Sequence, residues 1–173
     1  MTQNTRTVVP EAALSAATLL RFAREVAKFP ADQKQSAVMA CLAIVQQELG
    51  SVSTESEAAI AVYLGMAPIA VREVTTFYNM YNQQPVGRFK LNVCTNLPCQ
   101  LRDGQQALVH LCHKLGVEAG GTTADGLFTV QQSECLGACA DAPVMLVNDR
   151  QMLSFMGNDR IDELVDTLKG QAQ

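Results

Sequence analysis

Residues 88–99 read RFKLNVCTNLPC, and residues 133–139 read SECLGAC. The first stretch opens as a strand. Phe89, Leu91 and Val93 alternate with Arg88, Lys90 and Asn92, the period of two that gives a strand one apolar face. It runs straight into Cys94 and Cys99, a C-x4-C pair. The second stretch follows another expected strand, 128–132, and carries Cys135 and Cys139 as a C-x3-C pair. Both pairs are expected in loops, and the 35 residues between them contain a helix and a strand.

Working outward, residues 103–116 read as a helix with Leu108, Leu111, Cys112 and Leu115 on one face. Residues 144–147 and 151–155 read as strands joined by Asn148-Asp149, a hairpin turn dipeptide. Asn158 or Asp159 can cap a last helix bearing Ile161, Leu164, Val165 and Leu168. The order is β-α-β-β-β-α. Upstream the sequence is helical, punctuated by Pro10, Pro30, Pro68 and Pro85. Helices are expected over 12–29 and 31–49, the second with a stripe of Val38, Cys41, Leu42, Val45 and Leu49 ending at Gly50. A shorter helix follows Ser53 and closes at Gly65, and a last one begins near Pro68 and carries Val71, Val74 and Phe77. The fold class expected is α+β, with a helical bundle over 1–87 and the strand-containing domain over 88–173.

Composition narrows the function. The chain has 173 residues, enough for two small domains, and is 48% hydrophobic. Lys and Arg number 13 and Asp and Glu 17, a net charge of −4 with no basic run, so nucleic-acid binding has no electrostatic footprint. The longest charge-free apolar stretches, 35–47 and 58–71, are 13 and 14 residues long, short of the roughly 20 that span a bilayer. Pro10 and Glu11 interrupt any secretory signal, so a cytoplasmic protein is expected. In that compartment six cysteines point to metal or redox chemistry rather than disulfides.

Four thiolates meeting at one place make a zinc site or an iron–sulfur cluster, and a dithiol redox pair is a third reading. The spacing alone does not separate them. The local chemistry favours a [2Fe–2S] cluster. The loops Thr95-Asn96-Leu97-Pro98 and Leu136-Gly137-Ala138 are long enough to leave backbone N–H groups facing sulfides, and Gly137 removes a side chain where backbone must approach closely. Pro98 stiffens the other loop. The helix starting near Asp103 would point its positive end at the same place. Arg102, Glu134 and Asp141 lie within three residues of these cysteines, for 1 − 2 = −1. Net negative charge opposes adding an electron and predicts a low potential.

With these motifs in hand, the chain resembles the small iron–sulfur subunit of NADH:quinone oxidoreductase, respiratory complex I. The resemblance rests on CTNLPC at 94–99, CLGAC at 135–139 and APVM at 142–145. It extends back through PVGR at 85–88 and VTTFY at 74–78, covering about 19–168. It implies a thioredoxin-like ferredoxin domain behind the helical one, with one [2Fe–2S] cluster on Cys94, Cys99, Cys135 and Cys139. It further implies docking beside a flavoprotein subunit that binds NADH and FMN, with a further iron–sulfur subunit nearby. The setting would be the peripheral arm of a membrane-attached complex, reaching the membrane only through that complex. The cluster would exchange single electrons with the flavin. The same module occurs in NAD-linked formate dehydrogenases and NAD-reducing hydrogenases. Thr75, where Ala is usual, and Asp141, where Asn is common, depart from the family pattern without touching the ligand set.

The remaining candidates have plainer readings. Cys41 and Cys112 lie on apolar helix stripes and are expected in the core. His110 and His113 are expected on a solvated or partner-facing helix edge, and the scattered methionines as core filling. Phe77, Tyr78, Met80 and Tyr81 form an apolar cluster between the two halves, read either as an internal hinge contact or as part of a docking surface, with the inward reading preferred. No triad or acid–base constellation stands out, so no catalytic residue is assigned. The rival from another class is a zinc-stapled interaction module.

Overall fold

In the computed structural model, residues 14–172 are described. The chain divides into two compact units, Met1–Pro85 and Val86–Gln173.

The first unit is helical. Helix α1, Ala16–Val26, starts at Ser15, whose Oγ accepts the Thr18 N–H at 3.0 Å. The expected start at residue 12 lies outside the described residues. The helix expected over 31–49 is divided: Ala31–Ala37 form a 3-10 turn with a non-helical Gln33, and α2 proper is Val38–Leu49. The reason lies in the pattern, because residues 31–36 are exposed and the apolar stripe begins only at Val38. Helix α3, Thr54–Leu64, is capped by Ser53 and closed by Gly65, and α4, Pro68–Phe77, carries Pro68 in its first turn.

Phe22, Cys41, Leu42, Val45, Ile60, Leu64, Val71 and Tyr81 fill the core of this unit. Burial pushes the Cys41 thiol up to about 12, so this cysteine is the inert core residue its stripe implied. Two polar arrangements carry no signal in the sequence. Buried Glu57 accepts from Arg72 Nη1 at 3.2 and 3.3 Å, and Arg72 Nη2 donates to Gln83 at 3.0 Å. Thr75 is also buried, and its Oγ1 donates to the Val71 carbonyl at 3.0 Å, so its hydroxyl is satisfied where an alanine would have none. The aromatic cluster divides. Tyr81 is buried and its hydroxyl donates to the Met39 carbonyl at 2.8 Å, whereas Phe77 is 79% exposed. The inward reading holds for Tyr81, in the core of the helical unit, and is corrected for Phe77, Tyr78 and Met80, which are exposed.

The second unit is built on a four-stranded sheet in the order β2-β1-β3-β4. Strand β1, Phe89–Cys94, runs parallel to β2, Phe128–Ser133, from Phe89 beside Phe128 to Cys94 beside Ser133. A parallel pair needs a crossover. It consists of a single helical turn, α5, Leu97–Gln100, followed by the long helix α6, Gly104–Leu115. On its other side β1 pairs antiparallel with β3, Met145–Val147, which turns into β4, Gln151–Leu153. Asn148 and Asp149 both take positive φ, 51° and 55°, as a two-residue hairpin turn requires. Strand β4 stops short of 155 because Phe155 turns to φ 54° and its N–H bonds the Asp141 carbonyl at 2.7 Å. Helix α7, Asn158–Gly170, starts one residue earlier than expected, with Gly157 as its cap.

Leu91, Val93, Leu108, Leu111, Val130, Met145, Met156, Ile161 and Val165 make one core from the sheet and both long helices. The methionines split accordingly: Met145 and Met156 fill this core, while Met80 and Met152 are exposed. The polar residues of β1 are not a solvent face. Lys90 is 2% exposed, its Nζ lies 2.9 Å from Asp149 Oδ2, and Asn92 Nδ2 donates to the same carboxylate at 2.7 Å. By strand alternation Cys94 shares the Lys90 and Asn92 side of β1, not the Leu91 and Val93 side. The fold is therefore α+β, with the strands confined to the second unit among the described residues.

Candidate metal centre

Topology explains why the two cysteine pairs meet. Strand β1 lies between β2 and β3, so the loop joining β2 to β3 must cross over the end of β1. That end is Cys94. Both ends of the crossing loop are held there: Thr95 N–H donates to the Ser133 carbonyl at 3.1 Å, and Cys94 N–H donates to the Val144 carbonyl at 3.1 Å. Cys135 and Cys139 sit on the loop between them. Cys94 and Cys99 are each 1% exposed and pack with Ala142, Val144, Leu136 and Ala138. Cys135 is exposed and Cys139 half-buried.

The first pair does not lie in a plain loop. Cys99 belongs to the single turn α5, which Pro98 helps to open. Such a turn is too short for apolar periodicity to reveal. It leaves Leu97 64% and Leu101 77% exposed beside the buried thiols. The N–H groups of Gln100, Leu101 and Arg102 are spent locally, on the Asn96, Leu97 and Cys99 carbonyls. The second pair is flanked by a 3-10 turn, Cys139–Asp141. There the Gly137 N–H donates to Cys135 Sγ at 3.4 Å, a backbone donor of the kind an anionic sulfur centre wants. Gly137 is needed for its φ of 81° and not for close approach, since a β-carbon there would meet nothing within 4 Å. Close approach occurs instead at Gly104, the first residue of α6, against the Cys94 and Cys99 carbonyls.

The thiols stand as two pairs that feel one another. Cys135 Sγ and Cys139 Sγ are 3.5 Å apart. Burial pushes the Cys99 thiol up to about 11; its hydrogen bond with Cys94 and the charges of Cys94 and Cys139 add to the rise, while the Val144 backbone opposes it. Cys139 is raised first by its hydrogen bond with Cys135, then by burial and the charges of Cys135 and Cys94. A tetrahedral zinc ion needs all four sulfurs about 2.3 Å from one centre, whereas a binuclear cluster takes one pair on each metal. The donor set and its pairing fit a [2Fe–2S] group.

Side chains tie the two loops together, and no sequence signal marks these contacts. Asn96 Nδ2 donates to Glu134 Oε2 at 2.9 Å, Gln132 Nε2 to Thr95 Oγ1 at 2.7 Å, and Arg102 Nη1 to the Ala140 carbonyl at 3.0 Å. Asp141 accepts from Ser154 Oγ at 3.0 Å. The histidines are elsewhere engaged or exposed. His110 Nε2 lies 2.9 Å from Asp162 Oδ1 and so links α6 to α7 rather than facing solvent alone; His113 is exposed. Cys112 is half-buried against the core, and burial raises its thiol.

Comparison with known proteins agrees with this geometry. The sequence profile for thioredoxin-like [2Fe-2S] ferredoxins matches residues 22–169. NADH-quinone oxidoreductase subunit 2 of Thermus thermophilus is 38% identical over 143 residues, covering 83% of this chain and 79% of that protein. An NADH-quinone oxidoreductase subunit of Rhizobium meliloti is 38% identical over 146 residues, covering 83% of each. Among solved structures, an NAD+-reducing [NiFe]-hydrogenase in the air-oxidized state aligns with a TM-score of 0.64 at 22% identity. That alignment covers 79% of this chain and 23% of the hydrogenase chain, and it speaks to the fold. No helix among the described residues is long and apolar enough to cross a membrane. The chain thus belongs to the thioredoxin-like [2Fe–2S] ferredoxin family, in the branch of NADH-quinone oxidoreductase subunits.

Proposed function

We propose that Cys94, Cys99, Cys135 and Cys139 hold one [2Fe–2S] cluster, and that the chain is the electron-transfer subunit of an NADH-quinone oxidoreductase. The observation that carries this reading is the crossing of the β2–β3 loop over the end of β1, which joins a buried thiol pair to a more exposed one. Family membership supports the cluster, and the names of the relatives support the parent complex. A cluster bound there takes up and releases one electron at a time.

The chain's own residues do the holding and the tuning. Cys94 and Cys99 bind on the protein side, where Val144 and Ala142 exclude water, and Cys135 and Cys139 bind on the side open to a partner. The Gly137 N–H supports the sulfur of Cys135. No acid, base or nucleophile is required of this chain, because its contribution is an electron and not a bond. The electron's other station is the FMN of an NADH-binding flavoprotein subunit in the peripheral arm, alongside a further iron–sulfur subunit.

The test is an ultraviolet–visible and EPR spectrum of the anaerobically purified full chain before and after dithionite, with iron, sulfide and zinc counted. About two irons per chain and a rhombic signal on reduction are expected. About one zinc and no colour would replace this reading with the zinc-stapled interaction module.

A further inference from the structure

The two cysteine segments are fastened to each other at both ends. Asn96 lies just before the helical turn that carries Cys99, and its amide reaches Glu134, the residue immediately before Cys135. Arg102 lies just after that turn, and its guanidinium reaches the carbonyl of Ala140, the residue immediately after Cys139. The C-x3-C segment is therefore gripped at both its borders by side chains flanking the Cys99 turn. Each grip involves one ionised group, a carboxylate acceptor in one and a guanidinium donor in the other, which makes both stronger than a neutral hydrogen bond.

The need for such grips follows from the exposure pattern. The Cys94 and Cys99 pair is locked in the interior, but Cys135 is exposed, and backbone bonds to the rest of the unit hold its loop at Ser133, Asp141 and Val144, outside the C-x3-C segment itself. A segment anchored only outside its borders keeps conformational freedom between them, and ordering it costs free energy each time a cluster is to be spanned. Side-chain ties at those borders remove that freedom in advance.

We propose that Asn96 and Arg102 are positioning residues, a double clasp that holds the Cys135 and Cys139 pair at its working separation from the buried pair. The inference rests on the cluster reading above. The clasp also sets charge. Glu134 brings a negative group and Arg102 a positive one to the two ends of the same segment, so the carboxylate resists and the guanidinium favours the extra electron. Asn96 holds the one in place, and Ala140 holds the other.

The experiment uses the full holo-chain and follows two readouts, the rate of iron loss to an excess of chelator under anaerobic conditions and the midpoint potential from a spectroscopic redox titration. Asn96→Ala and Arg102→Met are each expected to lose iron about threefold faster than wild type, the scale of one exposed hydrogen bond to a charged group. Glu134→Gln keeps a neutral acceptor for Asn96 and removes the charge, so its potential rises while its iron loss falls between wild type and Asn96→Ala. Arg102→Met lowers the potential, and Arg102→Lys, which retains the charge, restores it. Iron loss at the wild-type rate in both Asn96→Ala and Arg102→Met overturns the clasp. Unchanged potentials in both Glu134→Gln and Arg102→Met overturn its electrostatic half. Wild-type chain that carries zinc or no iron overturns the cluster reading itself, before any variant is compared.

Discussion

A β-carbon on Gly104 would stand 2.8 Å from the carbonyl oxygen of Cys94, so the first turn of α6 rests directly on the end of β1. The Cys99 carbonyl is equally close, at 2.8 Å. Both obstacles are backbone, and neither can swing aside as a side chain would. The helix that the sequence places near the cysteines is thus fitted against them through a missing side chain.

Gly104→Ala is expected to force α6 away from the cysteine loop, at a cost of about 2 kcal/mol in line with other overpacked sites. Calorimetry should show a melting temperature lower by a few degrees. The same variant should retain less iron than wild type. A variant as stable and as iron-rich as wild type would show that the contact relaxes freely.

In the helical unit, Glu57 is buried and meets Arg72 through both carboxylate oxygens. Removing the carboxylate leaves the guanidinium with Gln83 alone of these two partners. Arg72 is partly exposed, so water recovers some of the loss and Glu57→Ala should cost about 2 kcal/mol, below the range for fully buried pairs. Urea unfolding measures it, and a cycle with Arg72→Met isolates the pair. A coupling indistinguishable from zero would assign the loss to packing.

Cys41 predicts an alkaline limb of stability. Its folded thiol is pushed up to about 12 by burial, with the charge of Glu25 adding to the rise, against an ordinary value of 9.0. The group's folded pKa is raised, so its contribution is whole below about pH 9 and is lost as pH rises toward 12, where only the unfolded chain has released the proton. Urea unfolding at about pH 8 and about pH 10.5 should therefore show lower stability at the higher pH. Cys41→Ala should be less stable at both and show a flatter fall between them. An equal fall in the variant would assign the limb to other groups.

Asp141 lies in the 3-10 turn that begins at Cys139 and accepts from Ser154 Oγ. Asp141→Asn keeps an oxygen for that hydroxyl and removes one negative charge near the thiols, so the midpoint potential should rise. A redox titration of the holo-chain reads it directly. A potential that does not move would mean that solvent screens this carboxylate fully.

Much of the secondary structure is legible because its rules are local. Ser53 and Gly65 bracket α3, Pro68 opens α4, and Asn148-Asp149 turns the hairpin, each where short-range geometry demands. Local pattern misleads where a distant partner outweighs it. Lys90 and Asn92 look like the solvent side of a strand until Asp149 arrives to bury them. His110 looks like a free helix edge until α7 brings Asp162 against it. The helical turn Leu97–Gln100 is hidden for the opposite reason, being too short to carry any period.

The candidate site divides in the same way. Two cysteine pairs at C-x4-C and C-x3-C spacing, each following a strand, are properties of the sequence itself, and they confine the chemistry to thiolate centres. That the pairs meet was decided by tertiary structure. Strand β1 had to take the middle place between β2 and β3, so that a loop arising more than thirty residues after Cys99 is drawn across Cys94. The clasps from Asn96 and Arg102, and the fit of Gly104 against two carbonyls, exist only after that pairing. Strand pairing joins residues far apart in the chain through backbone groups that every sequence possesses. Its outcome is set by the burial of whole faces, and no short motif can record it.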